Sequence, residues 1–242
     1  MSNPRSRLIA ALDVTDRAAA LQCVDRLSGR VGYFKIGLEI FTAEGPRLVE
    51  EIRGRNERIF LDLKLHDIPN TVAGAVRSAC RLGVDMLTVH ASGGAAMMRA
   101  AVEEAQQAAA PPLILAVTAL TSLSGDDIAQ IGVGQKTEQW VETLATAAYG
   151  AGVRGIVASS REVSMLREKF GDEMRIVVPG IRPSGAAAQD QSRTATPGEA
   201  IRSGAGFIVV GRPILQAADP AAAADAIVAE ISQAHVTPDF RA

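Results

Sequence analysis

Ile59-Phe60-Leu61-Asp62-Leu63-Lys64-Leu65-His66-Asp67-Ile68-Pro69-Asn70-Thr71 is the stretch whose pattern decides the fold. Ile59–Leu65 is a short run of branched and aromatic residues, the composition of a β-strand. Thr71–Leu82, beyond the proline, is rich in helix formers. A strand running directly into a helix is one βα unit of a parallel sheet. Residues two apart in a strand share a face, so Asp62 and Lys64 point one way while Leu61, Leu63 and Leu65 point the other. A carboxylate and an ammonium inside an apolar strand are costly unless they are paired or at work. Taken alone, the pair serves equally as a buried ion pair fixing register or as part of a reactive site. The other charged strand residues decide between the two.

The same alternation extends in both directions. Strands are predicted at Leu8–Asp13, Tyr33–Gly37, Met86–His90, Leu113–Thr118, Gly155–Ser159, Arg175–Pro179 and Phe207–Val210. Helical patterns occupy Arg17–Leu27, Pro46–Arg53, Ala95–Ala109, Glu138–Tyr149, Arg161–Phe170, Pro197–Ser203 and Ala221–Ala234. Exits such as Leu82-Gly83-Val84 and Ser203-Gly204-Ala205-Gly206 suit helix caps feeding the next strand. Eight alternations over 242 residues predict an α/β fold, a (β/α)₈ TIM barrel in a single domain spanning 1–242. No interdomain linker interrupts them. No Gly-x-Gly-x-x-Gly follows the first strand, which weighs against a dinucleotide-binding open sheet.

Composition narrows the function classes. Lys and Arg number 25 against 27 Asp and Glu, a net charge of -2, and aromatics make up 4%. Neither a basic field nor a stacking platform for nucleic acid is present. The two cysteines, Cys23 and Cys80, lie in apolar helical patterns and read as buried free thiols rather than metal ligands. No long uncharged apolar run predicts a membrane span. The start, Met-Ser-Asn-Pro-Arg-Ser-Arg, lacks a signal-peptide pattern, so the expectation is a soluble, cytoplasmic protein.

Barrels of this kind work at the C-terminal ends of their strands. Those ends carry Asp13, Lys35, Asp62 with Lys64, His90, Thr118, Ser159, Pro179-Gly180 and Gly211-Arg212. The first three strands thus aim Asp, Lys, Asp and Lys at one mouth, a charge array that packing alone does not require. Gly211-Arg212 follows the eighth strand, where barrels commonly hold phosphate. There a glycine admits backbone N–H groups and a short helix adds its positive end, while Arg212 supplies a fork of donors. The alternative is a tight turn with a surface arginine. Val178–Pro183 and the small-residue loop Pro183–Gln189, leading to Asp190-Gln191, form either an arm closing over a ligand or a surface insertion. Thr121-Ser122 either presents hydroxyls to a ligand or caps the next helix. His66 and His90 read as structural, and His235 lies in the tail. No serine-nucleophile elbow, metal-ligand spacing or Walker loop occurs.

The combination of Ala11-Leu12-Asp13, Phe34-Lys35-Ile36-Gly37, Asp62–Thr71, Val117-Thr118-Ala119-Leu120-Thr121-Ser122, Pro179–Pro183, Asp190-Gln191 and Val210-Gly211-Arg212-Pro213-Ile214 resembles the orotidine 5′-phosphate decarboxylases over nearly the full chain. Gln189 departs from the acidic residue often found there. The resemblance implies cofactor-free, metal-free conversion of orotidine 5′-monophosphate to uridine 5′-monophosphate and CO₂, in pyrimidine biosynthesis. It further implies a homodimer with shared active sites. By position, Lys35, Asp62 and Lys64 would join Asp67 of a second subunit in a catalytic charge network. Asp13, with Thr71 of the second subunit, would hold the ribose, and Thr121 would lie near the pyrimidine. Arg182, Gln191, Gly211 and Arg212 would grip the phosphate. The nearest rival is a Mg²⁺-dependent barrel enzyme acting on a sugar phosphate, which shares the Asp-x-Lys-x-x-Asp spacing. A second is an idle phosphate-binding barrel.

Overall fold

The computed structural model describes residues 3–183 and 195–236. Eight parallel strands close into a barrel in chain order: β1 (Leu8–Ala11), β2 (Tyr33–Gly37), β3 (Ile59–Leu65), β4 (Met86–His90), β5 (Leu113–Val117), β6 (Gly155–Val157), β7 (Arg175–Val178) and β8 (Phe207–Val210). Pairing of Ile9 with Val209 on one side and Tyr33 on the other shuts the ring. Outside it run α1 (Arg17–Leu27), α2 (Leu38–Glu44), α3 (Pro46–Arg53), α4 (Pro69–Arg81), α5 (Gly94–Gln106), α6 (Gly125–Gln130), α7 (Thr137–Gly150), α8 (Val163–Phe170), α9 (Pro197–Arg202), α10 (Arg212–Leu215) and α11 (Pro220–Val236). The (β/α)₈ expectation holds.

Local chemistry explains many of the boundaries. Asp16 accepts a hydrogen bond from the Ala19 amide at the start of α1, and Ser124 with Asp127 forms a capping box on α6. Thr196 and Glu199 do the same for α9. Helix α4 begins at Pro69, two residues before its predicted start, because proline suits the first helical position. Helices α2 and α6 were not expected. Each is under two turns, and Gly45-Pro46 divides α2 from α3. Strand β1 ends at Ala11 rather than Asp13, and β5, β6 and β7 also stop one or two residues short of expectation. Asp13 is therefore a loop residue, free to lean over the mouth.

Side-chain alternation along the strands produces two cores. Ile9, Phe60, Met86, Leu115, Val177 and Val209 fill the barrel interior. Leu8, Phe34, Ile36, Leu61 and Leu87 point outward against helix residues such as Val24, Leu48, Val72 and Met97. Full burial of a side chain such as Phe34 or Leu87 contributes about 1.5–3 kcal/mol. Cys23 and Cys80 are free, as expected, but only half-buried at the margin of the outer core. Burial pushes both thiols above the ordinary cysteine value. Among the described residues, no helix is long and apolar enough to cross a membrane.

The ladder is irregular at one place that matters. Leu61 pairs with Leu87, yet the next β3–β4 partner is Leu65 with Val89. Strand β3 advances four residues while β4 advances two, so three β3 residues, Asp62 to Lys64, stand opposite Thr88 alone, a surplus of two. Lys64 lies inside this bulge with φ of 52°, in the left-handed region that a long side chain seldom adopts. Asp62 and Lys64 still share a side, while Leu63 and Leu65 pack against the outer core.

Candidate active site

A row of alternating charges crosses the mouth of the barrel. Asp13 Oδ1 stands 3.4 Å from Lys35 Nζ, which stands 3.7 Å from Asp62 Oδ2. Lys64 Nζ reaches both Asp62 oxygens at 2.8 Å. Lys35 and Asp62 keep only 13% of their side-chain surface, Lys64 29% and Asp13 53%. Two cations and two anions in sequence leave each charge beside an opposite one, the condition under which such burial is tolerated. The Asp62–Lys64 pair does not fix register, because it coincides with the place where register is lost. A strained backbone held at a cluster of charges marks a functional site more often than a packing device.

The row borders a cavity of about 250 Å³. Asp13, Lys35, Asp62, Lys64, Thr121, Arg182, Gly211 and Arg212 all line it, so residues from six βα junctions converge on one space. Its floor is apolar: Phe60, Val117, Val157, Val177 and Val209 rise from the barrel interior. Arg182 lies just after Gly180, whose φ of 76° turns the chain at the end of β7. Its Nε is buried without a hydrogen-bond partner among the described residues, which leaves a donor for an anionic ligand. The Arg182 amide donates to Ala195 O at 3.0 Å, so residue 195 returns beside the rim. Gly211 must be small. A Cβ there would stand 2.8 Å from Asp13 Oδ2 and 3.4 Å from the Ala11 Cβ.

Other predicted positions lie elsewhere. Asp67 and Thr71 are exposed around the start of α4 and do not line the cavity of their own chain. Asp67 borders a shallow depression shared with His66, Ile68 and Ser92. Gln191 and the rest of 184–194 lie outside the described residues. Thr118 turns aside and donates to Val157 O at 2.9 Å, and Ser159 donates to the buried Glu162 carboxylate. Thr121 does not cap α6, since Ser124 does. His66 and His90 lie ring to ring, with centroids 5.4 Å apart. Burial, then the nearby His66 and Lys64, lower the His90 pKa below its usual 6.5, so it is neutral at pH 7. Among the described residues, no three His, Cys, Asp or Glu side chains are grouped to hold a metal ion.

Thr88 was invisible in the sequence. It is fully buried on β4, its hydroxyl accepting from the Lys64 amide at 2.8 Å and donating to Asp62 Oδ1 at 3.0 Å. Threonine is ordinary in strands, and only the register shift, a non-local property, makes this one unusual.

Comparison with known proteins agrees with the geometry. The family model described as "Orotidine 5'-phosphate decarboxylase / HUMPS family" matches residues 6–227. The chain is 51% identical over 233 residues to orotidine 5'-phosphate decarboxylase of Moorella thermoacetica, covering 94% of this chain and 92% of that protein. Identity to the enzyme of the same name from Syntrophotalea carbinolica is also 51%, over 95% and 96% of the two chains. The crystal structure of orotidine 5'-phosphate decarboxylase from Lactobacillus acidophilus superposes with a TM-score of 0.84 at 36% identity, covering 93% of this chain and 98% of that one. With matches of this extent, a closed eight-strand barrel and a charged mouth, the chain belongs to the orotidine 5′-phosphate decarboxylase / HUMPS family.

Proposed function

We propose that this protein, acting as one domain, decarboxylates orotidine 5′-monophosphate to uridine 5′-monophosphate and CO₂ without a cofactor, in pyrimidine biosynthesis. The observation that carries this reading is the Asp13–Lys35–Asp62–Lys64 row lining one cavity together with Arg182 and Arg212. Cleaving the bond between C6 and the carboxylate leaves an electron pair on C6 in the plane of the pyrimidine ring. The ring π system cannot delocalise that pair, so its charge must be met electrostatically. Lys64 supplies the cation, then gives its proton to C6 to form the product C–H bond, and regains one from solvent. Asp62 fixes the ammonium and stands near the departing carboxylate. Arg182, Gly211 and Arg212, with Gln191, hold the phosphate, Asp13 the ribose, and Thr121 faces the base. Each tenfold in rate needs about 1.4 kcal/mol of stabilisation confined to the transition state, and phosphate contacts contribute by fixing the distant ring.

The protein acts as a cytoplasmic homodimer in this reading, with Asp67 and Thr71 reaching into the cavity of the second copy. Support comes from their exposure outside their own cavity and from Ile68 between them, an aliphatic side chain 66% exposed. The deciding experiment follows the ultraviolet absorbance of orotidine 5′-monophosphate with purified protein, with and without EDTA. Turnover indifferent to the chelator is expected. Turnover abolished by it would favour the Mg²⁺-dependent alternative, and nucleotide binding without turnover would leave an idle barrel.

A further inference from the structure

The β3 bulge creates a problem that one hydroxyl solves. Inside it, the Lys64 amide has lost its place in the ladder, and the Asp62 carboxylate must be held at a defined rotation to meet two ammoniums. A hydroxyl has one proton to donate and lone pairs to accept with. Thr88 gives the proton to Asp62 Oδ1 at 3.0 Å and receives the Lys64 N–H at 2.8 Å. Lys64 Nζ returns to the same carboxylate at 2.8 Å, which closes a ring from the Lys64 backbone through Thr88 and Asp62 to the Lys64 ammonium. Thr118, the other buried threonine among the described residues, donates its hydroxyl proton to the Val157 carbonyl on the β5–β6 seam. Among the described residues, both hydrogen bonds of the Thr88 hydroxyl end on the charged pair.

From this ring we infer that Thr88 is a positioning residue for the decarboxylation: it holds the Lys64 backbone in its left-handed conformation and orients the Asp62 carboxylate, so that the ammonium stands where C6 needs it. The inference rests on the reaction proposed above. It predicts an effect on the chemical step rather than on nucleotide affinity, because the phosphate- and ribose-facing residues Arg182, Gly211, Arg212 and Asp13 belong to other βα units. Misplacing a reacting group by about 1 Å costs on the order of 10²-fold in rate.

The test compares Thr88→Val, which keeps the shape and loses the hydroxyl, with Thr88→Ser, which keeps the hydroxyl. Thr88→Val is expected to lower kcat on orotidine 5′-monophosphate on the order of 10²-fold, with KM, and Kd for uridine 5′-monophosphate, within about threefold of wild type. Thr88→Ser restores kcat to within about fivefold. Should Thr88→Val fail to fold, Thr88→Ala is compared with Thr88→Ser in the same way. A folded Val or Ala variant with wild-type kcat, a loss expressed in KM alone, or a serine variant as slow as the hydroxyl-free one would each overturn the role of Thr88. A wild-type protein without turnover would overturn the reaction itself, so the two failures are distinct.

Discussion

Lys64 Nζ bonds both oxygens of Asp62 at 2.8 Å, although these residues are two apart on a strand whose ladder is broken between them and β4. The chain accepts a left-handed lysine to bring about this contact. Lys64→Ala is therefore expected to fold, with circular dichroism and Tm close to wild type, while kcat falls at least about 10³-fold. Loss of a charge stabiliser alone removes roughly 10²–10³, and loss of the proton donor adds to it. A folded Lys64→Ala protein with an unchanged rate would remove Lys64 from the chemistry.

Gly211 and Asp13 are coupled by contact. A Cβ at 211 would press on Asp13 Oδ2 and displace the carboxylate from Lys35. If Asp13 holds the substrate, Gly211→Ala should raise KM for orotidine 5′-monophosphate by about 10-fold, the value of one charge-assisted hydrogen bond. Steady-state kinetics with a parallel melting curve checks this. Unchanged KM would mean that Asp13 does not hold substrate.

Most of this architecture was readable because barrel strands obey a local rule. Ile59-Phe60-Leu61 or Phe207-Ile208-Val209-Val210 cannot be mistaken for surface, and a charge inside such a run stands out as an anomaly needing a purpose. The row from Asp13 to Lys64 was legible for that reason. Other features depend on partners distant in sequence. The break between Leu61 and Leu65 exists only relative to β4, so neither the left-handed Lys64 nor Thr88 could be read from β3. The short helices α2 and α6 lack the length over which apolar periodicity accumulates. Thr118 and Ser159 occupy the same kind of strand end as Lys35, and spacing could not tell which polar groups bond within the barrel wall.

His90 makes stability depend on pH in a definite direction. Its folded pKa lies below 6.5 because burial, His66 and Lys64 disfavour the charged ring, whereas in the unfolded chain it titrates near its ordinary value. Between those two values the unfolded state binds more protons, so stability rises with pH. The contribution is complete above 6.5 and disappears as pH falls through the folded value. Urea unfolding at a series of pH values should show this slope in the wild type and a flatter one in His90→Asn. Identical slopes would assign the pH dependence to other groups.

Asp67 offers the sharpest test of how the site is assembled. It is exposed and lies outside the cavity that holds Lys64, yet four residues separate it from Asp62 in the charge-bearing segment. If it acts across a dimer, Asp67→Ala and Lys64→Ala homodimers are each inactive for complementary reasons. A mixed dimer then contains one site with both changes and one with neither. After random subunit exchange half the dimers are mixed and half their sites are native, so activity should recover to about a quarter of wild type. Exchange is followed independently by native mass spectrometry. Full exchange without recovered turnover would return Asp67 to the surface of its own subunit and remove shared sites from the mechanism.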